Sequence, residues 1–155
     1  MLGEYVRSIT PKNVVPEKDL VKIGTRIFLR NVSLDVPKHA VAAGLYLGST
    51  QNNKFVPSLN LLERVLPLTD RWVVVNDKAE WLVICGRDVW GPSILERGAE
   101  FTVDERVLVL SKRRDILGVG RIVGKDFSKK DVAVKMQFDI GDLIRRGRKL
   151  LQNRE

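Results

Sequence analysis

The sequence contains little of the chemistry that enzymes and metal proteins use. It has one cysteine, Cys85, and one histidine, His39, in 155 residues. A single cysteine cannot form an intrachain disulfide, and with one histidine it does not supply a metal cluster. No apolar run approaches the roughly 20 residues of a membrane-spanning helix, and Met1 to Tyr5 lack the pattern of a secretory signal. We therefore predict an intracellular protein that has no catalytic residues, cofactor or metal site and does not bind membranes.

One glycine-rich segment, residues 118–125, resembles a phosphate-binding loop only superficially. Val123 stands at the third glycine position of G-x-G-x-x-G, and a P-loop would need glycine at Val119 and serine or threonine at Asp126. The segment also lies within a predicted strand, whereas a phosphate loop opens a helix. Nucleotide binding is therefore not predicted.

The composition is that of a globular protein with an excess of positive charge. Apolar residues make up 44% and charged residues 30%, and the net charge is +8. Both halves carry the excess, with 11 basic and 7 acidic residues in 1–78 and 16 and 12 in 79–155. Such a charge suits an anionic partner such as nucleic acid, but a binding surface must come from local clustering.

The first half alternates apolar runs with turn residues. We expect a short helix over Glu17–Ile23 and a strand over Thr25–Asn31. A strand over 43–49, a turn over 50–54 and a return strand from Phe55 predict a hairpin. Ser58 suits the N-cap of a leucine-rich helix that Pro67 ends, and a strand over Trp72–Val75 follows.

The second half is dominated by predicted strands. The polar turn Asn76–Lys78 is the candidate boundary between two domains, residues 1–76 and 79–155. Beyond it we expect strands at 80–85, 106–111, 116–123 and 132–137, a short helix after Gly86 and a terminal helix over 139–155. The fold class is therefore α+β, with an N-terminal antiparallel sheet and helices followed by a C-terminal β-barrel.

Tryptophan and cysteine are assigned to the core by their apolar neighbours. For Trp72, Trp81 and Trp90 core packing is favoured over an exposed base-stacking platform. Trp90, in a Gly- and Pro-containing turn, is the one expected to be exposed. Cys85 ends an apolar run and is expected to be buried.

Two basic clusters are candidate binding sites. The terminal helix places Arg145, Arg146, Arg148 and Lys149 on its water-facing side, opposite an apolar stripe. Lys112, Arg113 and Arg114 lie at the predicted tip of a hairpin, where side chains are exposed. Each cluster also has an alternative interpretation without a ligand. The basic face of the helix would be an ordinary solvated surface, and the charge at the hairpin tip would prevent strands of other chains from pairing with it.

Several segments resemble a known family. Ala43-Gly44-Leu45-Tyr46-Leu47-Gly48, followed by a polar turn, Lys54-Phe55 and a leucine-rich helix, resembles the N-terminal domain of the Nip-seven family of ribosome-biogenesis factors. The C-terminal half resembles a PUA domain, an RNA-binding barrel. The matching pieces there are Cys85-Gly86-Arg87-Asp88-Val89, Arg106-Val107-Leu108-Val109-Leu110, Leu117-Gly118-Val119-Gly120 and Asp139-Ile140-Gly141-Asp142-Leu143-Ile144-Arg145.

The resemblance implies a non-catalytic RNA-binding factor in assembly of the large ribosomal subunit. The implied partners are rRNA, in flexible or single-stranded regions, and large-subunit assembly factors or ribosomal proteins. A monomer is expected, cytoplasmic if archaeal and nucleolar if eukaryotic. A glycine- and alanine-rich helix-loop of ordinary PUA domains is replaced here by Trp90-Gly91-Pro92-Ser93-Ile94. Two alternatives stay open: an accessory of an RNA-modifying enzyme, and a translation factor with a PUA domain.

Overall fold

The chain folds into two units, residues 1–69 and 70–155. The computed structural model describes residues 1–30, 36–142 and 145. The α+β class is confirmed: one unit holds a four-stranded antiparallel sheet with helices, and the other a curled six-stranded half-barrel.

The first unit is an antiparallel meander covered by short helices. Its elements are α1 (Leu2–Arg7), a 3-10 helix (Glu17–Asp19), β1 (Leu20–Ile23), β2 (Arg26–Leu29), β3 (Leu45–Gln51), β4 (Lys54–Pro57), α2 (Leu59–Val65) and a second 3-10 helix (Leu66–Leu68). The strands are ordered β1-β2-β3-β4. Leu47 of β3 and Leu61 and Leu62 of α2 are fully buried and form part of its core.

The predicted hairpin and helix of this unit are confirmed. Asn52 and Asn53 both have positive φ, 47° and 58°, which is the backbone of a type I′ turn and suits the twist of paired strands. Ser58 caps α2, since its hydroxyl accepts a hydrogen bond from the Leu61 backbone N–H. The predicted helix over Glu17–Ile23 is wrong beyond Asp19, because Leu20–Ile23 pairs with Arg26–Leu29 as β1.

The second unit contains β5 (Trp72–Val75), α3 (Asp77–Ile84), β6 (Val89–Trp90), a 3-10 helix (Gly91–Ser93), β7 (Ile94–Arg97), β8 (Arg106–Leu110), β9 (Ile116–Ile122) and β10 (Val132–Asp139). A helix begins at Ile140. The strand order is β6-β10-β9-β8-β5-β7. All neighbours pair antiparallel except β5 and β8, which are parallel. The short 3-10 helix joins the two edge strands, so the sheet curls toward closure.

The strands predicted at 106–111, 116–123 and 132–137 are confirmed as β8, β9 and β10. The strand predicted at 80–85 is wrong, because this stretch belongs to α3 and the residues after it. The Asn76 side chain accepts a hydrogen bond from Ala79 N–H at 2.9 Å and begins the helix, and Ala79 and Val83 turn into the core one helical turn apart. Local capping therefore overrides the strand propensity of the apolar run.

One further element and the boundary between the two units differ from expectation. The segment after Gly86 forms β6 and a 3-10 helix, so the short α-helix expected there is absent from it. The chain divides between Thr69 and Asp70, ahead of the predicted boundary at residues 76–79. The reason is that β5 lies between β8 and β7, so Trp72–Val75 is part of the second sheet.

Candidate nucleic-acid interface

Arg145 is the described member of the basic cluster predicted on the terminal helix. Its Nη2 lies 2.8 Å from Asp139 Oδ1 and 3.1 Å from Oδ2, and its Nη1 donates to the carbonyl of Ile84 at 2.7 Å. The Asp139 side chain is only 12% exposed. Arg145 therefore neutralises a nearly buried carboxylate and satisfies a carbonyl in the last turn of α3, a position that favours a cation. Arg146, Arg148 and Lys149 lie outside the described residues.

Gly141 permits this contact between Arg145 and the end of α3. A Cβ placed on Gly141 would lie 1.8 Å from the carbonyl oxygen of Ile84 and 2.8 Å from Arg145 Nη1. Any side chain at this position would push the two groups apart. We call the contact of Arg145 with Asp139 and Ile84 the arginine clasp.

The basic residues at the β8–β9 tip are exposed at the predicted place, but two of the three are already paired. Lys112 Nζ lies 2.8 Å from Asp77 Oδ2, at the start of α3. Arg114 Nη2 lies 2.6 Å from Glu96 Oε2, and its Cζ is 4.4 Å from the centre of the Trp72 ring. The side chain of Arg113 is exposed. The tip therefore ties three elements of the second unit together through its cations.

The three tryptophans differ in exposure. The exposure of Trp90 is confirmed, with half of its surface accessible. Core burial is wrong for Trp81, which is 67% exposed, because α3 turns it away from the face that carries Ala79 and Val83. Cys85, directly after α3, is exposed, so its expected burial is wrong. Trp72 is partly buried beneath Arg114.

A third basic cluster lies in the loop between β9 and β10, and sequence reasoning missed it. Its exposed lysines are Lys125, Lys129 and Lys130, and we call residues 124–131 the lysine loop. Among the described residues, no carboxylate lies within ion-pair distance of these three ammonium groups. Polar turn residues between two predicted strands were the available signal, the same signal that identified the β8–β9 tip.

The lysine loop is held in shape by its own aspartates. Asp126 Oδ1 accepts hydrogen bonds from the backbone and hydroxyl of Ser128, and Asp131 Oδ1 accepts one from the Val132 backbone at 2.8 Å. The Ser128 hydroxyl, followed by its backbone N–H, lowers the pKa of the Asp126 carboxyl below its ordinary 3.8, and the charge of Lys129 adds to the effect. Both carboxylates are thus turned onto the loop backbone.

The lysine loop packs directly against the segment that carries Trp90. Trp90 is paired with Val132 in the β6–β10 ladder, and the backbone N–H of Gly91 donates to the Asp131 carbonyl at 2.9 Å. A Cβ on Gly91 would lie 2.7 Å from the Phe127 carbonyl oxygen and 2.8 Å from that of Lys129. Only glycine permits this approach, and it brings the backbone of Lys129 and Asp131 next to the segment that carries the exposed indole.

A groove of about 410 Å³ lies on another side of the same loop. It is lined by Ile94, Leu95, Glu96, Arg97, Lys125, Asp126 and Phe127. The Arg97 guanidinium stacks 5.5 Å from the centre of the Phe127 ring and pairs with Glu100. The charged residues that line this groove are two acidic and two basic and sum to zero, whereas those of the lysine loop sum to +1, so the groove attracts an anion less strongly.

The chemistry that these surfaces offer is ionic contact and stacking. Exposed ammonium groups bind phosphate, and an exposed indole stacks on a nucleobase. No cluster of three metal-ligating side chains occurs within the described parts of the chain. No helix of those parts is long and apolar enough to cross a membrane.

Three solved structures share this fold. A conserved PUA domain protein from Thermoplasma acidophilum is 21% identical, with a TM-score of 0.54 over 66% of this chain and 69% of that one. A PUA domain from Aeropyrum pernix K1 is 19% identical, with a TM-score of 0.52 over 60% and 56%. A hypothetical protein from Pyrococcus horikoshii OT3 is 18% identical, with a TM-score of 0.52 over 77% and 72%. No curated protein matches the sequence.

The second unit also matches a family model. The model is described as the UPF0113 PUA domain and matches residues 71–148, just over half of the chain. These residues begin with β5, which agrees with the division of the chain before that strand. The chain therefore belongs to the UPF0113 PUA domain family.

Proposed function

We propose that this protein is a non-catalytic RNA-binding factor and that its second unit makes the principal RNA contacts. The observation that carries the proposal is the edge where the exposed Trp90 meets the lysine loop, in a domain of a type that commonly binds RNA. The net charge of +8 supports an anionic partner.

The chemistry of this edge favours single-stranded or flexible RNA over a duplex. Lysine contacts with phosphate oxygens hold the backbone without reading the sequence. Stacking on an indole needs an unpaired base, whereas a duplex keeps its bases paired and stacked on one another. We therefore propose binding with modest sequence preference and strong dependence on salt.

The absence of catalysis is also part of the proposal. The sequence has one histidine, His39, and one cysteine, Cys85, and therefore offers few candidates for a nucleophile paired with a base. A nucleophile and its base must lie within hydrogen-bond reach of each other. The proposed activity therefore depends on binding alone.

For the biological role we propose assembly of the large ribosomal subunit. The proposal is drawn from the resemblance of residues 43–66 to the N-terminal domain of the Nip-seven family. The partners would be rRNA together with large-subunit assembly factors or ribosomal proteins.

Crosslinking of the full chain to RNA in cells, followed by sequencing of the attached RNA, tests this function. We expect enrichment of large-subunit rRNA over all other RNA. Enrichment of tRNA would favour an accessory of an RNA-modifying enzyme, and enrichment of small-subunit rRNA a translation factor; either result would overturn the assembly role. RNA recovery no higher than that of an unrelated protein of equal charge would overturn RNA binding itself.

A further inference from the structure

We propose that Trp90 and the lysine loop form one composite site for single-stranded RNA, in which an unpaired base stacks on the indole of Trp90 and the adjoining phosphates bind Lys129 and Lys130. The inference rests on the proposed function and deepens it, because it names the surface and the feature of RNA that the surface selects.

Trp90 is exposed at the rim of the sheet. Its neighbour Val89 is fully buried while Trp90 is half-exposed, which follows from the alternation of side chains along a strand. β6 is the edge strand of the sheet and has only two residues. The indole therefore lies at the rim of the sheet with half of its surface accessible, and stacking of a base on an indole is worth about 1–3 kcal/mol.

The lysine loop is held in one shape by hydrogen bonds within it. Hydrogen bonds from Ser128 to Asp126, and from the Lys129 backbone to the Asp126 carbonyl at 3.3 Å, close a turn within the loop. The Asp131 backbone donates to the Lys129 carbonyl at 2.8 Å. The backbone that carries Lys129 and Lys130 is thus ordered before any ligand binds, which reduces the entropy lost on binding.

The lysine loop has an excess of positive charge. The loop has three lysines and two aspartates. Asp126 accepts hydrogen bonds from Ser128, and Asp131 accepts one from Val132, the first residue of β10. The ammonium groups have no described carboxylate within ion-pair distance. The loop therefore keeps a net charge of +1, with exposed lysines on a segment whose backbone contacts Gly91, the neighbour of Trp90.

The combination favours RNA over an acidic protein. An acidic peptide supplies carboxylates for the ammonium groups but no base to stack on the indole, whereas a single strand offers a base and a phosphate at every step. A protein partner is accordingly the competing outcome of the test.

Binding of a short labelled oligouridylate to the full chain tests the site. We expect Trp90→Ala to weaken binding about 10-fold, since loss of one stacked base at about 1.4 kcal/mol corresponds to that factor. The matched control is Trp81→Ala, which removes a tryptophan of greater exposure from α3 of the same unit and should leave affinity within about twofold. Trp90→Leu, which keeps an apolar side chain, should weaken binding as Trp90→Ala does.

An oligomer of the same length without bases separates stacking from charge. The wild-type chain should bind it more weakly than oligouridylate, and Trp90→Ala should bind both about equally. The double change Lys129→Gln with Lys130→Gln should weaken binding of both probes and lower the salt slope by about 0.7 per lysine. The control pair Lys22→Gln with Lys54→Gln, exposed residues of the first unit, removes the same charge.

The outcomes distinguish this inference from the proposed function. If the wild-type chain binds no RNA, the proposed function fails and the site with it. If the wild-type chain binds but Trp90→Ala and Trp90→Leu match Trp81→Ala on both probes, RNA binding stands and the composite site is wrong. Binding of an acidic peptide by the wild-type chain, lost in the lysine double variant while oligouridylate affinity is unchanged, would assign the surface to a protein.

Discussion

The two loops at opposite ends of β9 carry equal numbers of cations and use them differently. At the β8–β9 tip, Lys112 pairs with Asp77, and Arg114 pairs with Glu96 and stacks on Trp72. In the lysine loop, the three ammonium groups have no described carboxylate within ion-pair distance. A run of basic residues in the sequence therefore does not show that their side chains are available to bind a ligand, because the fold determines which cations already have an acidic partner.

The arginine clasp extends the same contrast to the terminal helix. Arg145 was predicted to face water and contact RNA, and that role stays a prediction. Its guanidinium already contacts Asp139 and Ile84. Some of the described cations of the second unit thus have a structural partner, and others are free to bind a ligand. We test this difference with the following changes, from the largest expected effect to the smallest.

Removal of β5 should unfold the unit that contains both loops. A fragment of residues 70–155 should unfold cooperatively, whereas a fragment of 79–155 should not, because it lacks Trp72–Val75 from the middle of the sheet. Val73, Val74 and Val75 are essentially fully buried. Their burial, at about 1.5–3 kcal/mol each, rivals the roughly 5–15 kcal/mol that stabilises a domain. Circular dichroism during urea titration measures this, and equal midpoints for the two fragments would refute it.

Loss of the arginine clasp should cost more stability than loss of any exposed ion pair. Arg145→Ala leaves the nearly buried Asp139 carboxylate without its partner, so the free energy of unfolding should fall by about 1–3 kcal/mol. Arg145→Lys should recover part of this, since lysine keeps the charge but cannot fork onto two acceptors. Urea titration gives the values. A drop in RNA affinity with unchanged stability would instead show that Arg145 serves RNA.

Loss of the Arg114 contacts at the tip should have a smaller effect. Arg114→Ala should lower the free energy of unfolding by about 0.5–1 kcal/mol, the usual contribution of an exposed cation on an aromatic ring. Arg114→Gly removes the same contacts but relieves the positive φ of 69°, so its melting temperature should fall less. RNA affinity should fall less in either variant than in the double variant of Lys129 and Lys130. An affinity loss as large as that of the double variant would abolish the contrast between the loops.

The smallest effect concerns the turn that orders the lysine loop. The pKa of Asp126 lies below 3.8 in the folded chain, so its contribution to stability is present at neutral pH and is lost as the pH falls through that lowered pKa. Ser128→Ala removes the hydroxyl donor and should move the pKa of Asp126 up toward 3.8. A titration followed by carboxyl carbon chemical shifts measures it. An unchanged pKa would mean that the turn does not depend on Ser128.

Much of the fold could be predicted because its signals are local. The Asn52-Asn53 turn, the Ser58 cap and the strands that became β8, β9 and β10 each follow from a few neighbouring residues. The wrong prediction of a strand at 80–85, where α3 lies, was avoidable in part, since Asn76 followed by Asp77 and Glu80 is a helix-start pattern. The apolar, strand-like run from Trp81 to Cys85 outweighed this pattern in the prediction.

The candidate site was less predictable because it depends on contacts between distant residues. The pairing of Lys112 with Asp77 and of Arg114 with Glu96 joins residues that are not neighbours in sequence. The proximity of Trp90 to the lysine loop depends equally on the β6–β10 ladder and on Gly91. Sequence identified the residue types, and only the fold showed which cations are engaged.

The parallel pair of β5 and β8 has a consequence for the order in which the second unit assembles. Val74 pairs with Leu110, thirty-six positions later, whereas β8, β9 and β10 meet through short connections. Contacts between close neighbours form before distant ones, because closing a long loop loses more entropy. The meander of β8 to β10 should therefore form first and β5 dock last. Until β5 docks, β8 has an unpaired edge that can pair with strands of other chains. Although β5 is synthesised before β8, it covers this edge and prevents aggregation only in the last step of assembly.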